Sequence, residues 1–361
     1  MKPLNIMIIL PSLAGGGAEK VILSFVDNLD RINFKPTLVI QNKIGPLKTN
    51  LDDNNIIYLN TKNFRYAITK LIKVIRLNKP DIIISTFPHI TLPLALLKII
   101  FFKNIKIIAR IPNMIEESLS STFYLKLLKY FHNKLMANVN RIIVTSNAMK
   151  NDFISRGFNK KKLYLIHNPV DIISLRKIKS LNRFPGKGLR FVIVGRLSYQ
   201  KGIDRVIPML NNIGNCHLTI IGEGIEKNKL LNSVLEHKVK QKVEFINFTN
   251  KASSYIAGAD YLLLPSRWEG LPNVALEALA LGTPVISFKE IVSLNDFVSL
   301  VPLNSLRLCS NEKEMEIILK NSNYRLDHIK PKIRNNLLKI FNTPKAYTRK
   351  IEIIMKDLTL E

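Results

Sequence analysis

The sequence predicts an α/β protein made of two Rossmann-like, doubly wound domains. Short apolar runs typical of buried parallel strands alternate with helix-forming segments along the chain. A length of 361 residues favours two domains, and a hydrophobic content of 47% is ample for packed cores. The clearest single unit is a strand, loop, helix and strand between residues 261 and 287. Units of this kind build parallel sheets with helices on both faces.

Domain boundaries are predicted from turn-rich stretches and from the start of new strands. The run Pro185-Gly186-Lys187-Gly188 indicates a loop, and an apolar strand begins directly after it at Leu189. The predicted segments are an N-terminal domain at 1–170, a linker at 171–188, a C-terminal domain at 189–340 and a last helix at 341–361. This last helix is expected to pack back on the N-terminal domain.

Strands and helices are predicted to alternate through the N-terminal domain. The predicted strands are Asn5–Leu10, Thr37–Gln41, Ile56–Leu59, Ile82–Ser85, Lys106–Arg110, Arg141–Thr145 and Lys161–Ile166. The predicted helices are Lys20–Leu29, Tyr66–Asn78, Leu92–Phe101, Leu119–Asn138 and Ala148–Arg156. Ser146 is the expected N-cap of the last of these helices, because a serine hydroxyl can accept a backbone N–H there.

The C-terminal domain shows the same alternation. The predicted strands are a run that starts at Leu189, then His217–Ile221, Val243–Ile246, Tyr261–Leu264 and a run that starts at Val285. The predicted helices are Ile203–Leu210, a Lys-rich helix that ends at Glu236, and Val274–Leu281. Gly282 and Pro284 follow the last helix, as expected for a helix stop.

Composition excludes several classes of protein. Two cysteines argue against a disulfide scaffold and fit a reducing compartment. The first apolar run is too short for a signal peptide and breaks at Pro11, and prolines and lysines interrupt the apolar region 82–111, so no transmembrane helix is expected. A net charge of +27 indicates an anionic partner, such as nucleic acid, an anionic membrane or a polyphosphate substrate, or in part a lysine-rich coding bias of the source genome. No nucleic-acid-binding module is evident.

Two carboxylates lie in the unit between residues 261 and 287. Glu269 falls in the loop after the strand, and Glu277 falls within an otherwise apolar helix. A carboxylate can accept hydrogen bonds from both hydroxyls of a ribose, and backbone amides from Leu271 to Ala275 at the helix start suit a phosphate. The alternative is that Glu269 is a solvated loop residue and that Glu277 extends its carboxylate to the surface.

This stretch resembles the Glu-x7-Glu motif of glycosyltransferase family 4, whose members are retaining enzymes with a GT-B fold. The resemblance extends from Pro265-Ser266 to Gly282-Thr283-Pro284-Val285-Ile286. It implies two Rossmann-like domains that face a central cleft, with Glu277 holding the donor ribose and Glu269 contacting the donor sugar. The predicted donor-binding residues are Glu277, Gly16, Gly17, Gly270, Leu271, Pro272, Asn273, Val274 and Gly222.

Two cations follow the first strand of the C-terminal domain. Arg196 lies at the carboxyl end of this strand, and Lys201 lies on the same loop. They could clamp a pyrophosphate and neutralise a departing nucleoside diphosphate, or they could be ordinary surface cations. The phrase Gly-Arg-Leu…Lys-Gly resembles the phosphate-binding element of family 4, which implies that Arg196, Lys201 and Glu269 form the catalytic set. We expect neither a metal nor a cofactor.

A glycine-rich loop follows the first strand of the chain. Gly15, Gly16 and Gly17 allow close backbone approach before a helix, although such turns are often only structural. The pattern does not fit the dinucleotide fingerprint. It resembles the Gly-Gly-Ala-Glu loop of family 4, which implies that Gly16 and Gly17 lie near the donor phosphate and sugar or near the acceptor.

Two positions depart from the family pattern. Many members carry a cleft histidine after the strand that corresponds to Lys106–Arg110, whereas this chain has Arg110-Ile111-Pro112-Asn113 there. His89 is nearby in the pattern, but a lone histidine in a Pro-flanked turn is more often structural. Relatives also often show a Gly-Gly pair after the strand that ends near Ile286, and this chain has none. The donor sugar therefore does not follow from the resemblance.

The sequence predicts a retaining hexosyltransferase. It would move a hexose or N-acetylhexosamine from a nucleotide diphosphate sugar, a UDP-sugar in our interpretation, to a glycan or polyprenyl-diphosphate-linked oligosaccharide. The expected setting is bacterial surface polysaccharide or lipopolysaccharide biosynthesis. A nucleotide-sugar epimerase, a basic nucleic-acid-binding protein and a non-catalytic sugar-nucleotide binder remain as alternatives. The sequence leaves the acceptor, the linkage and the oligomeric state open.

A basic stretch in the N-terminal domain predicts a membrane-facing surface. Residues 61–140 carry three acids and many lysines and arginines, and the segment 123–131 combines aromatic and aliphatic residues with lysines. An alternative is a helix that packs in the core and has a solvated lysine edge. The membrane hypothesis places the protein in the cytoplasm, at the inner face of the plasma membrane, and assigns Lys126, Lys129 and Lys134 to anionic lipid.

Overall fold

A computed structural model describes residues 2–61, 64–113, 131–181, 188–322 and 340–360. The chain divides into two compact units. Unit 1 comprises Met1–Pro169 and Asn342–Glu361, and unit 2 comprises Val170–Phe341. The segment predicted as a linker, 171–188, belongs to unit 2, because Ile172 and Leu175 are buried in the hydrophobic core of that unit. The C-terminal helix belongs to unit 1.

Strands and helices alternate through both units, as the sequence predicts. The strands are Leu4–Leu10 (β1), Phe34–Ile40 (β2), Ile56–Tyr58 (β3), Ile82–Thr86 (β4), Lys106–Ile111 (β5), Arg141–Val144 (β6), Leu163–Leu165 (β7), Leu189–Val194 (β8), Cys216–Ile221 (β9), Val243–Ile246 (β10), Tyr261–Leu264 (β11), Val285–Phe288 (β12) and Leu306–Cys309 (β13). The α-helices are Gly17–Asn28 (α1), Phe64–Asn78 (α2), Pro88–Ile100 (α3), Asn147–Ser155 (α4), Ile172–Arg176 (α5), Lys227–Glu236 (α6), Ala252–Gly258 (α7), Asn273–Leu281 (α8), Asn295–Val298 (α9), Glu312–Lys320 (α10) and Pro344–Thr359 (α11).

Unit 1 contains a 7-stranded parallel sheet in the order β3-β2-β1-β4-β5-β6-β7. Alternate residues of β1 face opposite sides of this sheet. Ile6 and Ile8 pack in one cluster with α1 and α11, whereas Met7 and Ile9 pack in another with α2 and α3. Both faces of the sheet are therefore covered by helices, which explains why its strands are continuously apolar.

Unit 2 contains a 6-stranded parallel sheet in the order β10-β9-β8-β11-β12-β13. Val192 and Leu262 pack with α7 and α8 on one face. Phe191 and Leu263 pack with α6 and α10 on the other face. The predicted doubly wound α/β fold is thus confirmed for each unit.

Two local predictions differ from the structure at prolines. The predicted helix Ile203–Leu210 is wrong: the segment forms two separate 3-10 turns, Ile203–Arg205 and Ile207–Asn211. Pro208 has no backbone N–H and its ring crowds the preceding turn, so it disfavours a continuous α-helix here. Helix α3 begins at Pro88, earlier than predicted, because proline is favoured in the first turn of a helix.

Two helix ends are formed as the sequence predicts. The Ser146 hydroxyl caps α4 by accepting the backbone N–H of Met149 at 3.3 Å. Gly282 ends α8 with φ +84°, and the N–H groups of Gly282 and Thr283 bond Leu279 O and Ala278 O at 2.9 and 2.8 Å. This pair of bonds is a Schellman motif.

Two sequence predictions fall partly or wholly on residues outside the described ranges. Of the helix predicted at Leu119–Asn138, residues 131–136 are described and are helical. Lys126 and Lys129 lie outside the described residues, and Lys134 is exposed. Across the ranges that the structure describes, no helix combines the length and the apolar character needed to cross a membrane.

Candidate active site

The strand order of unit 2 identifies one position at the carboxyl edge of its sheet as a candidate ligand site. Strands β8 and β11 are neighbours, yet the chain continues from β8 toward β9 on one side and from β11 toward β12 on the other. Ligands of doubly wound sheets bind at such a switch point, beyond the carboxyl ends of the strands. The segments that follow these two strands carry all three residues predicted to be catalytic.

The central contact at this edge is an ion pair between Lys201 and Glu269. The Lys201 ammonium donates a hydrogen bond to Glu269 Oε1, and the Ser266 hydroxyl donates to the same oxygen at 2.9 Å. The lysine and glutamate side chains are 20% and 9% exposed, respectively. A Cβ at Gly195 would lie 3.2 Å from Lys201 Cε, so the lysine stem crosses this glycine. Both residues are predicted from the sequence as catalytic, but their pairing is not predictable from it.

Arg196 differs from Lys201 in its surroundings. Its side chain is exposed, and it makes no ion pair with any residue that the structure describes. The loop that carries Arg196 is fixed by the loop after β9, since Leu197 N–H donates to Glu223 O at 2.9 Å. Gly222 has φ +148°, and a Cβ there would clash with the carbonyl oxygen of Gly195. Gly222 therefore permits close packing of two backbones at this edge, whatever its role toward a donor.

The N-terminus of helix α8 lies on the same edge. Pro272 is its N-cap residue and makes no side-chain capping hydrogen bond, and the first turn of α8 contains no acidic residue. Gly270 and Leu271 are buried just before it, while Asn273 and Val274 open the helix and are partly exposed. Partial positive charge at a helix N-terminus favours an anion such as a phosphate.

Glu277 lies one turn further along α8. Its neighbours Leu276 and Ala278 are fully buried, whereas Glu277 is partly exposed. It is the one charged residue of this mostly apolar helix.

The corresponding helix in unit 1 has a different N-terminus. Helix α1 follows β1, Gly16 is its N-cap residue, and Glu19 lies in its first turn with 7% exposure. A Cβ on Gly16 would clash with the Glu19 carboxylate, which therefore lies directly over this glycine. A carboxylate at this helix end opposes the binding of a second anion. The placement of Gly16 and Gly17 near the donor phosphate and sugar, or near the acceptor, stays a prediction.

Glu19 is the glutamate of the Gly-Gly-Ala-Glu loop, and no role was predicted for it, although the sequence carries a signal. A glutamate three residues after an N-cap residue is the second half of a capping box. Glu19 therefore has the position of a capping residue at the N-terminus of α1, whereas the first turn of α8 contains no acidic residue.

Arg110 occupies the region where relatives carry a cleft histidine. It is 1% exposed, and its Nε donates to the Tyr347 hydroxyl at 3.0 Å. Its Nη2 donates to Asn168 Oδ1 at 2.6 Å. Arg110 therefore connects β5 to α11 and to the segment before Pro169, and its buried guanidinium does not replace a surface histidine.

His89 lies at the carboxyl end of β4, in the first turn of α3. Its ring stacks on Phe87, with 5.6 Å between the ring centres. Burial lowers the pKa of His89, so the neutral imidazole is favoured. Phe87 has φ +102°, a conformation that is costly for a residue other than glycine. Within the described ranges, no group of three or more His, Cys, Asp or Glu side chains is placed to hold a metal ion.

Comparison with protein families gives two matches that together span most of the chain. Residues 15–173 match the model described as Glycosyltransferase Family 4, and residues 176–299 match the model described as Glycosyl transferases group 1. An amylovoran biosynthesis glycosyltransferase, AmsD, from Erwinia amylovora is 25% identical over 294 residues, covering 79% of this chain and 80% of the relative. An O-antigen biosynthesis glycosyltransferase, WclY, from Escherichia coli is 29% identical over 220 residues, covering 58% of this chain and 62% of the relative.

Solved structures share the fold over nearly the full length. Anabaena Alr3699/HepE, in complex with UDP and glucose, superposes with a TM-score of 0.80 at 17% identity, covering 98% of this chain and 100% of that one. Sucrose-phosphate synthase from Thermosynechococcus elongatus superposes with a TM-score of 0.81 at 16% identity, covering 99% of each chain. The chain belongs to the group 1, family 4 glycosyltransferases and is a glycosyltransferase of the GT-B fold.

Proposed function

We propose that this protein is a retaining glycosyltransferase that uses a nucleotide diphosphate sugar, specifically a UDP-sugar. It transfers a hexose or N-acetylhexosamine to a glycan or to a polyprenyl-diphosphate-linked oligosaccharide during surface polysaccharide biosynthesis. The observation that carries this proposal is the Lys201–Glu269 pair, which lies on the same edge of the sheet as the N-terminus of α8. The ammonium and the helix N-terminus can bind a negatively charged diphosphate. The carboxylate can accept hydrogen bonds from the hydroxyl groups of a neutral sugar ring.

The nucleoside diphosphate is assigned to the switch point of unit 2. An ammonium has three N–H donors, so Lys201 can bond Glu269 and still donate to a diphosphate. Arg196 supplies a second, exposed cation on the same loop. Glu277 accepts the two ribose hydroxyls. Alr3699/HepE was crystallised with UDP and glucose, and the pneumococcal O-GlcNAc transferase GtfA with UDP and GlcNAc, which supports a UDP-linked donor.

The proposed reaction breaks the bond between the sugar C1 and the β-phosphate oxygen. The acceptor hydroxyl oxygen forms the new bond to C1 on the same face, and its proton passes to the leaving diphosphate. Arg196 and Lys201 stabilise the negative charge that develops on the diphosphate. Glu269 orients the sugar by accepting its hydroxyl donors and forms no covalent intermediate. This role fits a carboxylate that is held in place by Lys201 and Ser266.

The polysaccharide setting is supported by the relatives. AmsD is named for amylovoran biosynthesis and WclY for O-antigen biosynthesis. The acceptor is assigned to unit 1, where the carboxylate of Glu19 covers the start of α1 and disfavours phosphate. A neutral sugar hydroxyl suits this edge, because it can donate a hydrogen bond to a carboxylate.

An anionic membrane surface is proposed as a further partner of unit 1. The end of α3 exposes apolar side chains at Leu96, Ile99, Ile100 and Phe101. The first three share one helix face, because residues spaced by three and four positions lie together. Lys98 and Lys103 lie next to them in the sequence. Burial lowers the pKa of Lys98, and the nearby charges of Lys106 and Lys162 lower it further. Apolar side chains next to dense positive charge fit the surface of anionic lipid.

A panel of nucleotide sugars tests the proposed function. We expect one UDP-sugar to raise the melting temperature and to be consumed, with UDP release, only when a glycan or lipid-linked acceptor is added. Release of free nucleotide together with an epimerised sugar, without an acceptor, would instead identify an epimerase. Indifference to every nucleotide sugar would contradict the proposal.

A further inference from the structure

Two loops at the carboxyl edge of the unit 2 sheet are joined by Arg267. The β8 loop, residues 195–205, carries Lys201, and the β11 loop, residues 265–272, carries Glu269. Arg267 Nη1 and Nη2 donate to the two carboxylate oxygens of Asp204 at 2.9 and 2.7 Å. Nη1 also donates to the carbonyl oxygen of Tyr199 at 2.8 Å.

Further contacts strengthen the same junction. The Arg267 N–H donates to Gln200 O at 2.8 Å, and Gln200 Nε2 donates to Trp268 O at 3.0 Å. The Arg267 guanidinium carbon lies 3.9 Å from the centre of the Tyr199 ring. Hydrogen bonding from Arg267 lowers the pKa of Asp204, so Asp204 is ionised at neutral pH. The two loops therefore meet through both charge and backbone contacts.

We propose that Arg267 is a positioning residue, which holds the Lys201 ammonium against the Glu269 carboxylate through Asp204 and the backbone of Tyr199. Tyr199 lies two residues before Lys201, and Arg267 lies two residues before Glu269. A shift of either loop would thus move one member of the pair away from the other. Arg267 itself is assigned no contact with the donor. The catalytic consequence rests on the proposed function.

The chain offers a matched control at the opposite edge of the same sheet. Arg190 Nε and Nη2 donate to the two carboxylate oxygens of Asp260 at 3.0 and 2.7 Å. This pair is also bidentate, through Nε and Nη2 rather than through the two Nη atoms that Arg267 uses, and it lies at the start of β8, away from the carboxyl edge. Substitution of either arginine by lysine keeps the positive charge but removes the planar guanidinium that donates two hydrogen bonds to one carboxylate.

The experiment compares Arg267→Lys with Arg190→Lys. We expect Arg267→Lys to lower kcat about 100-fold, since small misplacements of catalytic groups have effects of this size. Its affinity for UDP should remain within about threefold of wild type, because the ribose and helix contacts are unchanged. Arg190→Lys should lower the melting temperature by a similar amount and leave kcat near wild type. Equal losses of kcat in the two variants would overturn the proposal.

A stability cycle tests the inference without any substrate. Unfolding free energies are measured for Arg267→Lys, Lys201→Met and the double variant. Coupled sites give non-additive effects, so we expect the double variant to be less destabilised than the sum of the single variants. Additive effects would overturn the positioning role. If the wild-type protein transfers no sugar but the stability effects are non-additive, the proposed function is refuted. The positioning of Lys201 and Glu269 by Arg267 would still be supported.

Discussion

Replacement of Lys201 by methionine isolates the contribution of its ammonium. Methionine retains an aliphatic stem across Gly195, while Glu269 keeps its hydrogen bond from Ser266. Exposed ion pairs contribute about 0.2–1 kcal/mol to stability, and loss of one partner from a buried pair costs about 3–5 kcal/mol. The Lys201–Glu269 pair is 20% and 9% exposed, so we expect a loss of about 1–3 kcal/mol, between these limits.

The catalytic effect of Lys201→Met should exceed its effect on stability. Removing one preorganised group that stabilises developing charge lowers kcat by about 10²–10³-fold, equivalent to about 2.7–4 kcal/mol. The assay measures UDP release and product formation at saturating donor, with UDP affinity measured by calorimetry. The affinity should fall less than kcat, because the charge on the diphosphate grows during the reaction.

Lys242→Met is the matched control for this substitution. The Lys242 ammonium donates to the carbonyl oxygens of Leu210 and Ile213 at 2.7 and 2.6 Å, so its loss should reduce stability. It lies just before β10, at the opposite edge of the sheet from the site, and kcat should stay near wild type. A folded Lys201→Met protein with kcat within about threefold of wild type would refute the assignment of Lys201.

The remaining predictions concern the ribose carboxylate, a helix end and the membrane surface. Glu277→Ala should weaken UDP binding itself, whereas Glu269→Ala should leave UDP binding unchanged and impair sugar transfer. If calorimetry gives the same UDP affinity for wild type and Glu277→Ala, the assignment of Glu277 to the ribose is wrong. Gly282→Ala should lower the free energy of unfolding by about 1–2 kcal/mol, because φ +84° disfavours a side chain. Gly214→Ala, with open space around the added carbon, should change it by less than about 0.5 kcal/mol in the same denaturant titration. The protein should sediment with anionic vesicles at low salt, be released at high salt and ignore neutral vesicles. Changing Lys126, Lys129 and Lys134 to Glu should reduce this binding with UDP affinity intact, and unchanged sedimentation would locate the basic face elsewhere.

Local sequence patterns predicted most of the fold because their causes are local. Continuous apolar runs such as Ile82–Ser85 indicated strands buried on both faces, and Gly282 with Pro284 indicated where α8 ends. The segment after Gly202 was mispredicted because its apolar spacing suggested a helix, while Pro208 disfavours one. The proline was visible in the sequence, and its effect should have outweighed the periodicity.

The contacts of the candidate site were less predictable than the residues themselves. Lys201 and Glu269 are 68 positions apart, and they meet only because β8 and β11 are neighbours in the sheet. A single sequence does not specify strand order, so the pair and the Arg267 junction could not be derived from it. The contact of Arg110 could not be predicted for the same reason, since its partner Tyr347 is 237 positions away in the sequence.

Hydrogen–deuterium exchange with and without UDP tests the location of the donor site most directly. It requires neither a known acceptor nor a known sugar. We expect UDP to slow exchange in unit 2, in peptides that cover residues 195–202, 222–226 and 265–277. Protection confined to the loop around Gly16 and Gly17, with no change in unit 2, would contradict the placement of the nucleotide at the switch point between β8 and β11.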